Sequence, residues 1–244
     1  VTNTSAEAIA EEVAPYELAS TMSDIRNGGV KVKDIHKIKS KSGNVITFHE
    51  PLMHGINASW GWILNDYSYY SNVGIEDLTF KGFACDDFTH HRSWEDDGGY
   101  KPLLMQRLVN SWIRRVNFTD ISEGATFSSC ANSSAYDIIL DGNRGHSSIR
   151  STSSSRIFIG ATKDITSGPA LSGGAYIEGA GHCHGVGVTQ TSIGAVLWNN
   201  ELGLDSFVEM HGGQPRATLV DCSSGAFKKG SQGGSPEALP NHLA

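Results

Sequence analysis

Short apolar cores recur along most of the chain and are separated by polar, glycine-rich stretches. From residue 44 onwards they read NVITF, GWILN, IEDLTF, WIRRVNF, YDIIL, RIFIG, AYIEG, GAVLW and ATLVD. These cores are rich in β-branched residues and too short for helices. After residue 30 no long segment has the 3.6-residue apolar spacing of an amphipathic helix. The pattern therefore predicts an all-β protein made of many short strands.

The later cores are almost evenly spaced. One central apolar residue from each gives separations of 38, 22, 19, 20, 19 and 23 residues, in the series Leu78, Val116, Ile138, Ile157, Ile177, Val196 and Leu219. A repeat of about 20 residues is typical of a β-solenoid, in which each coil buries its apolar side against its neighbours. We predict parallel β-helix coils over residues 31–244, with an antiparallel sandwich as the alternative.

The one long separation, from Leu78 to Val116, indicates an inserted loop at residues 83–103, and it contains FTHHRSWEDDGGY at 88–100. Long loops on a rigid scaffold are usually functional or disordered. The aromatic residues Phe88, Trp94 and Tyr100 favour an ordered loop with a binding role. Residues 1–30 are expected to form a linker or an N-terminal surface segment.

Charge and composition narrow the function classes. The net charge of −7 and the pI of 5.8 argue against a nucleic-acid partner. The sequence has no apolar run of the roughly 20 residues that cross a membrane, so we expect a soluble chain without a membrane partner. The four cysteines are too widely spaced for a zinc ribbon and are expected to be buried thiols, with one disulfide as the alternative.

Cleavage of a polysaccharide would need particular side chains. Hydrolysis uses two carboxyl groups, whereas elimination from a uronic acid uses a base and a cation that neutralises the sugar carboxylate. The acid candidates are Glu95, Asp96, Asp97, Glu123, Asp141, Glu178, Asp205 and Glu209. In an extended strand, Asp205, Phe207, Glu209 and His211 would share one face, with Phe207 as a platform for a sugar ring. A solvated outer face is the alternative for that strand.

We predict a site with separate catalytic and substrate-binding groups. The candidate catalytic residues are Asp205, Glu209, His211 and His146. The candidate substrate-binding residues are His90, His91, Arg92, Trp94, Tyr100, Arg115 and Arg150. Aromatic rings can stack on sugars, and the planar fork of arginine suits sulfate or carboxylate. Arg114 and Arg115 would point to opposite faces of one strand, so only one of them could face the groove.

No cofactor and no metal site are predicted. His182 and His184 in GHCHG would share one face of an extended segment and could chelate a transition metal, but the sequence identifies no third ligand. Calcium in the acidic loop stays open as an alternative, although WEDDGGY lacks the alternating oxygen ligands of an EF-hand.

Several motifs in order resemble a bacterial family. These are NVGIEDLTFKG, FTHH with GGY, NSWIRRVNFTD, DGNRGHSS, MHGGQPRATLVD and LPNHL. They resemble pectate-lyase-like, right-handed parallel β-helix proteins catalogued as a domain of unknown function beside carbohydrate-active enzymes. The resemblance covers residues 30–243, and His211 and Asp221 match its His-Gly … Leu-x-Asp segment.

The resemblance also carries expectations beyond the fold. Such proteins begin with further coils, so we expect this chain to be the C-terminal part of a longer helix, completed by an N-terminal fragment of the same protein. The leading functional prediction is a secreted or periplasmic glycoside hydrolase that cleaves within an acidic or sulfated polysaccharide, such as a sulfated fucan. A polysaccharide lyase and a non-catalytic glycan-binding protein are the alternatives.

Overall fold

The N-terminal segment is folded. In the computed structural model, which describes residues 1–18, 20 and 22–225, this segment contains β1 (Thr2–Asn3), α1 (Ala6–Val13), α2 (Ser23–Gly28) and β2 (Val30–Lys31). Strands β1 and β2 pair antiparallel. The side-chain oxygen of Ser5 caps α1 by accepting from the backbone N–H of Ala8 at 3.1 Å. Apolar residues of both helices are buried in one cluster with Trp60 and Ile193.

A buried arginine fastens this segment to the rest of the chain. Arg216 donates from Nε to Oε1 of Glu12 at 2.8 Å and from Nη1 to the carbonyl of Lys31 at 2.6 Å. Gln214 donates to the carbonyl of Gly29 at 2.8 Å. Of the two predictions for residues 1–30, the linker is therefore wrong, because this surface segment is packed and hydrogen-bonded.

Residues 33–69 do not form coils of the repeat. They contain the antiparallel pair β3 (Ile38–Ser42) and β4 (Val45–Phe48) and a single 3₁₀ turn at Ala58–Trp60. NVITF thus belongs to a hairpin, and residues 61–65 of GWILN are not in a strand. The predicted start of the coils at residue 31 is too early, because the first parallel strand begins at Tyr70.

The remaining elements follow from residue 70. They are β5 (Tyr70–Ser71), β6 (Gly74–Lys81), α3 (Trp94–Asp97), β7 (Leu103–Gln106), β8 (Leu108–Val109), β9 (Trp112–Thr119), β10 (Glu123–Ser128), β11 (Ala131–Asp141), β12 (Ser147–Thr152), β13 (Ser155–Asp164), β14 (Gly168–Pro169), β15 (Tyr176–Ile177), β16 (His184–Gln190), β17 (Val196–Trp198), β18 (Phe207–Gly213) and β19 (Leu219–Asp221). None of the helices in the described ranges is long and apolar enough to span a bilayer.

The chain passes back and forth between two parallel sheets. The first sheet has the order β7-β10-β12-β16-β18, and the second contains β5, β6, β8, β9, β11, β13, β17 and β19. Neighbouring strands in both sheets run parallel. This pairing confirms the all-β prediction and excludes the antiparallel sandwich.

Most of the apolar core lies between the two sheets. The first sheet contributes Phe127, Ile149 and Val188, and the second contributes Val116 and Ile138, all of them fully buried. Because side chains alternate along a strand, the neighbours of these first-sheet residues point away from the core. The outward face of the first sheet is therefore available for other chemistry.

Bends inside the long strands interrupt the alternation. Asp77, Arg115 and Asp137 occupy equivalent positions in β6, β9 and β11 and have φ of 59°, 53° and 58°. At such a bend two successive side chains can reach the same surface. Arg114 and Arg115 both reach Oε2 of Glu76, at 2.5 and 2.9 Å, so the prediction that they face opposite sides is wrong.

Two insertions occur at the same corner, between a second-sheet strand and the next first-sheet strand. Residues 82–102 join β6 to β7, and residues 165–183 join β13 to β16. Val196 stacks on Phe158, 38 residues earlier, so Ile177 is not a coil position. It lies in β15, which pairs antiparallel with β14 inside the second insertion. The even spacing hid this insertion because Ile177 falls midway between Ile157 and Val196, which lie in neighbouring strands of the second sheet.

Candidate functional site

Polar side chains collect on the outward face of the first sheet. Glu123, Ser147, His184 and Phe207 are aligned in register across four neighbouring strands. A second aligned set is Thr126, Arg150, Gly187 and Glu209, which lie three residues further along in the first three strands and two residues further along in β18, where the register shifts. His184 and Phe207 contact the first insertion, and the second insertion ends just before His184, which places the candidate site between the sheet and these loops.

The first insertion is anchored over this face. Phe88 is 5% exposed and packs with Cys183 and Phe207, and Leu171 of the second insertion borders the same apolar cluster. Ser93 caps α3 within the insertion. This anchoring brings Nε2 of His90 to 3.0 Å from Nε2 of His184, a residue 94 positions later in the chain.

Four imidazole rings gather here. The ring centroids of His146 and His184 are 4.7 Å apart, those of His90 and His184 5.0 Å, and those of His90 and His146 5.3 Å. The ring of His91 lies 5.5 Å from that of His146. His146 and His184 are buried, whereas His91 is largely exposed. The cluster therefore extends from the sheet to the solvent.

Each of three of these rings has a carboxylate beside Nδ1. The pairs are His146 with Oε1 of Glu123 at 3.1 Å, His184 with Oε1 of Glu209 at 2.9 Å, and His91 with Oδ2 of Asp97 at 3.0 Å. A carboxylate at Nδ1 fixes the orientation of an imidazole and its tautomer. In each pair, Nε2 is left as the second functional nitrogen.

Two cations lie close to the buried carboxylates. Nη1 of Arg150 is 3.6 Å from Oε1 of Glu123, and Nη2 of the same guanidinium is 3.8 Å from Oε2 of Glu209. Lys101 Nζ lies 2.6 Å from Oε2 of Glu123. Gly187 stands in register between Arg150 and Glu209, and its missing side chain leaves the path between them open.

The carboxyl groups are ionised in this environment. Burial alone would raise the pKa of Glu123, but the His146 hydrogen bond and the charges of Arg150 and Lys101 outweigh burial and lower this pKa to about 2. Burial likewise opposes ionisation of Glu209, and hydrogen bonds from His184 and His211 lower its pKa to about 2. Neither group is a proton donor near neutral pH.

The histidines divide into two kinds. Burial and the neighbouring imidazoles lower the pKa of His90 to about 4. Burial also lowers the pKa of His184, despite its contact with Glu209. The pKa of His211 is raised, because its Nδ1 lies 2.9 Å from the carboxylate oxygen Oε1 of Glu209 while half of its side chain stays exposed. His211 is thus the best placed of these imidazoles to carry a proton.

The structure brings together part of the predicted site. His90, His91, His146, Arg150, Glu209 and His211 all lie in this region. Glu123, His184 and Lys101 also lie here, although no sequence pattern ranks them above other polar residues. Glu123 stood among several acids near strand ends, and the spacing in GHCHG suggested the wrong partner for His184.

Asp205 is removed from the predicted catalytic set. It precedes β18, and its Oδ2 lies 3.1 Å from Nη1 of Arg144 and accepts from the backbone N–H of Leu171 at 2.7 Å. Its carboxylate therefore holds the second insertion to the body of the protein. Phe207 is also corrected, because it is 3% exposed beneath Phe88 and offers no platform for a sugar.

Two arginines that were predicted to bind substrate lie outside the site. The guanidinium of Arg92 forms ion pairs within its own loop, with Asp87 at 2.7 Å and with Asp96 at 2.9 Å. Arg115 belongs to β9 of the second sheet and pairs with Asp77 there. The local sequence does not show which sheet or loop a residue will belong to. Sequence patterns therefore could not distinguish Arg150, which lies in the site, from Arg92 and Arg115, which do not.

The predicted aromatic residues are placed differently from each other. Trp94 is 71% exposed at the start of α3, within the same insertion as the histidines. Tyr100 is half-buried, donates its backbone N–H to Ser122 at 2.8 Å and packs its ring edge-on to Phe83. Trp94 is the better candidate for stacking against a sugar ring.

His182 does not share a site with His184. It is fully buried, and its Nδ1 lies 3.1 Å from Oδ2 of Asp164 while its Nε2 lies 3.1 Å from the carbonyl of Ile121. Oδ2 of Asp164 also accepts from the backbone N–H of His182. His182 thus anchors the end of the second insertion immediately before His184 enters the sheet.

Two groups of side chains could hold a metal ion. In each, one ligand atom per residue lies within 4.8 Å of the others, and the groups are His90, Cys183 and His184, and His90, His91 and His146. Two acids of the first insertion pair with residues of the same loop, Asp96 with Arg92 and Asp97 with His91. The cysteines of the described ranges form no disulfide bond.

A comparison with protein families gives one match. The family model described as a domain of unknown function (DUF4955) matches residues 181–244. The matched segment includes His184, Glu209 and His211, but it is about a quarter of the chain. Its Pro-Asn-His motif at 240–242 lies outside the described residues. No curated protein and no solved structure matches the chain.

Proposed function

We propose that this protein cleaves polysaccharide chains on the outward face of its first sheet. The observation that carries the proposal is the pair of buried carboxylates, Glu123 and Glu209, held near one guanidinium beside the exposed His211. A stacked sheet flanked by two loops provides a long polar surface that suits an extended polymer. Trp94, exposed on the first insertion, supplies an aromatic face for a sugar ring.

The leading proposal for the reaction is hydrolysis within an acidic or sulfated polysaccharide, with a sulfated fucan as one candidate. Hydrolysis requires a proton donor and a carboxylate on opposite sides of the scissile bond. His211, with its raised pKa, would protonate the leaving oxygen. Glu209 would stabilise the protonated form of His211. Glu123 would be the second carboxylate and would act as base or nucleophile.

Elimination is the second candidate, and a specific observation favours it. Both carboxylates are ionised, while the lowered pKa of His184 leaves its imidazole neutral. A neutral imidazole can act as base, and Arg150 or Lys101 can neutralise the carboxylate of a uronic acid. A glycan-binding protein without catalysis is the third reading, supported by the exposed Trp94.

We also infer that the two parallel sheets are successive faces of a right-handed parallel β-helix, similar to the pectate-lyase-like family that the sequence resembles. The chain's alternation between the sheets and the repeated left-handed residues at equivalent positions support this. Strands β5, β6 and β7 form one edge of the stack, with exposed apolar residues such as Tyr70, Phe83 and Leu104. An N-terminal fragment of the same protein, secreted or periplasmic with it, would cover that edge.

Carboxylate variants test the catalytic proposal. Glu209→Gln and Glu123→Gln should each abolish chain cleavage while the purified proteins keep the wild-type circular dichroism spectrum. Glu178→Gln, the same change at an exposed glutamate in the second insertion, should retain wild-type rates. Asp205→Asn should instead lower stability, because Asp205 holds Arg144 and Leu171. Wild-type cleavage rates in both Glu209→Gln and Glu123→Gln would refute the assignment.

A further inference from the structure

Two imidazole nitrogens face each other at the centre of the cluster. Nε2 of His90 and Nε2 of His184 are 3.0 Å apart and come from segments 94 residues apart in sequence. His90 also belongs to both groups whose ligand atoms lie within 4.8 Å of one another. Nitrogens bound to one tetrahedral ion, at about 2.0–2.1 Å each, are separated by a similar distance. The arrangement is therefore close to that of a pair of metal ligands.

The carboxylates beside the imidazoles also match those of a metal site. A metal-bound histidine usually donates its other ring N–H to a carboxylate, which orients the ring and makes the ligand more basic. Here His91 and His146 have such partners, Asp97 and Glu123, and Nδ1 of His184 lies 2.9 Å from Oε1 of Glu209 without the geometry of a hydrogen bond. Histidines from the first insertion and from the sheet thus share the same arrangement, with Nε2 left for a ligand.

A buried nitrogen without a partner is the independent observation. His146 is 8% exposed, and its Nε2 has no hydrogen-bond partner among the described residues. A buried polar atom of this kind requires an explanation, because leaving it without a hydrogen bond destabilises the folded state. A metal ion would satisfy Nε2 and would also explain the close approach of His90 and His184.

We propose that this histidine cluster binds one divalent transition-metal ion, held by His90, His91 and His146, with His184 beside His90 as a further ligand. Imidazole ligands suit zinc, copper and nickel rather than calcium or magnesium, which prefer oxygen. Zinc fits best, because it accepts four-coordinate nitrogen sites and can also accept the thiol of the adjacent Cys183. His91, with 61% of its side chain exposed, gives the ion a path from solvent.

This proposal goes beyond polysaccharide cleavage and does not depend on it. The competing explanation is a hydrogen bond in which Nε2–H of one of the two histidines donates to the other, without any ion. It accounts for the 3.0 Å contact between His90 and His184. It does not account for the unpartnered Nε2 of His146. Metal titration separates the two explanations without a substrate.

The test uses the full chain, stripped with a chelator and then titrated with Zn²⁺ in a calorimeter, with bound zinc measured by mass spectrometry after gel filtration. We expect about one equivalent for the wild type and a rise in melting temperature with zinc. His90→Ala and His146→Gln should each lose the bound equivalent. His49→Ala, which removes an exposed histidine outside the cluster, should keep it.

Asp97→Asn provides a test of the carboxylate contacts. Because Asp97 acts on His91 and not on the ion, this variant should still bind zinc with about 10–100-fold weaker affinity. Cobalt(II) in place of zinc should give the visible absorption of a tetrahedral site in the wild type and not in His90→Ala. Absence of stoichiometric zinc in the wild type, or equal zinc binding by the folded His90→Ala and His146→Gln proteins, would overturn the proposal.

Discussion

Asp164 is the strongest internal anchor of the second insertion, and its loss should destabilise the protein measurably. It is 3% exposed and accepts from Ser148 at 2.6 Å, from Thr166 at 2.7 Å and from the backbone N–H of His182 at 2.9 Å. In Asp164→Asn, the side-chain NH₂ group would replace one of the two oxygens that accept these hydrogen bonds. At least one of the present donors would then face another donor. The charge that lies beside the imidazole of His182 would also be lost.

The expected cost follows from these contacts. Hydrogen bonds to charged groups are worth about 1.5–3 kcal/mol each, and breaking a buried charged pair costs about 3–5 kcal/mol. Because the amide keeps one acceptor oxygen, we expect Asp164→Asn to lower the free energy of unfolding by about 3 kcal/mol. For a chain of this length that corresponds to a fall in melting temperature of about 6–12 °C. Urea unfolding and thermal melts followed by circular dichroism measure both quantities.

A matched control and a pH series sharpen the test. Asp137→Asn makes the same chemical change at an exposed position with φ of 58°, which asparagine tolerates, so it should change stability by less than about 0.5 kcal/mol. Burial alone would raise the pKa of Asp164, but His182 and the hydrogen bonds lower it. The stabilisation is therefore complete above about pH 4 and declines below it. Equal stabilities for Asp164→Asn and Asp137→Asn at pH 7 would refute this reasoning.

Three further perturbations test other parts of the structure. Phe127→Ala, at a fully buried position between the sheets, should cost about 3–5 kcal/mol in urea unfolding. Gly203→Ala should lower the melting temperature, because its Cβ would lie 2.2 Å from a backbone nitrogen; Gly55→Ala, with open space around it, should not. The pKa of Glu12 is lowered, because hydrogen bonds from His54 and Arg216 outweigh burial, so the attachment of the N-terminal segment should weaken as the pH falls below about 4. Faster proteolysis of this segment in Glu12→Gln than in the wild type at pH 7 would support that reading, and equal rates would contradict it.

The sequence predicted the strands better than their arrangement. Alternation and β-branched residues identify β6, β9, β11 and β13 because a buried strand face leaves a local signal. NVITF has the same local composition, yet it forms an antiparallel hairpin, since pairing direction depends on the rest of the chain. The second insertion was missed because Ile177 imitates the spacing of a coil. Local patterns do not record which strand will lie beside which.

The candidate site shows the same limit. The first insertion and its histidines were predicted because a long, aromatic-rich loop interrupts a regular repeat. The contact between His90 of the first insertion and His184 at the start of β16 joins residues 94 positions apart, so no spacing in the sequence encodes it. The outward position of Glu123 likewise depends on its register with Ser147 and His184. Asp205 seemed equivalent to Glu209 only because alternation was extended past the start of β18.

The most direct test of the central claim is to incubate the protein with sulfated fucan, alginate, pectin, ulvan and carrageenan, recording reducing ends, ultraviolet absorbance and polymer length together. We predict shortening of at least one acidic polymer, with new reducing ends and no ultraviolet signal, which Glu209→Gln abolishes. Reducing ends that rise together with ultraviolet absorbance would replace hydrolysis by elimination. Polymers of unchanged length with every substrate would contradict a cleaving enzyme.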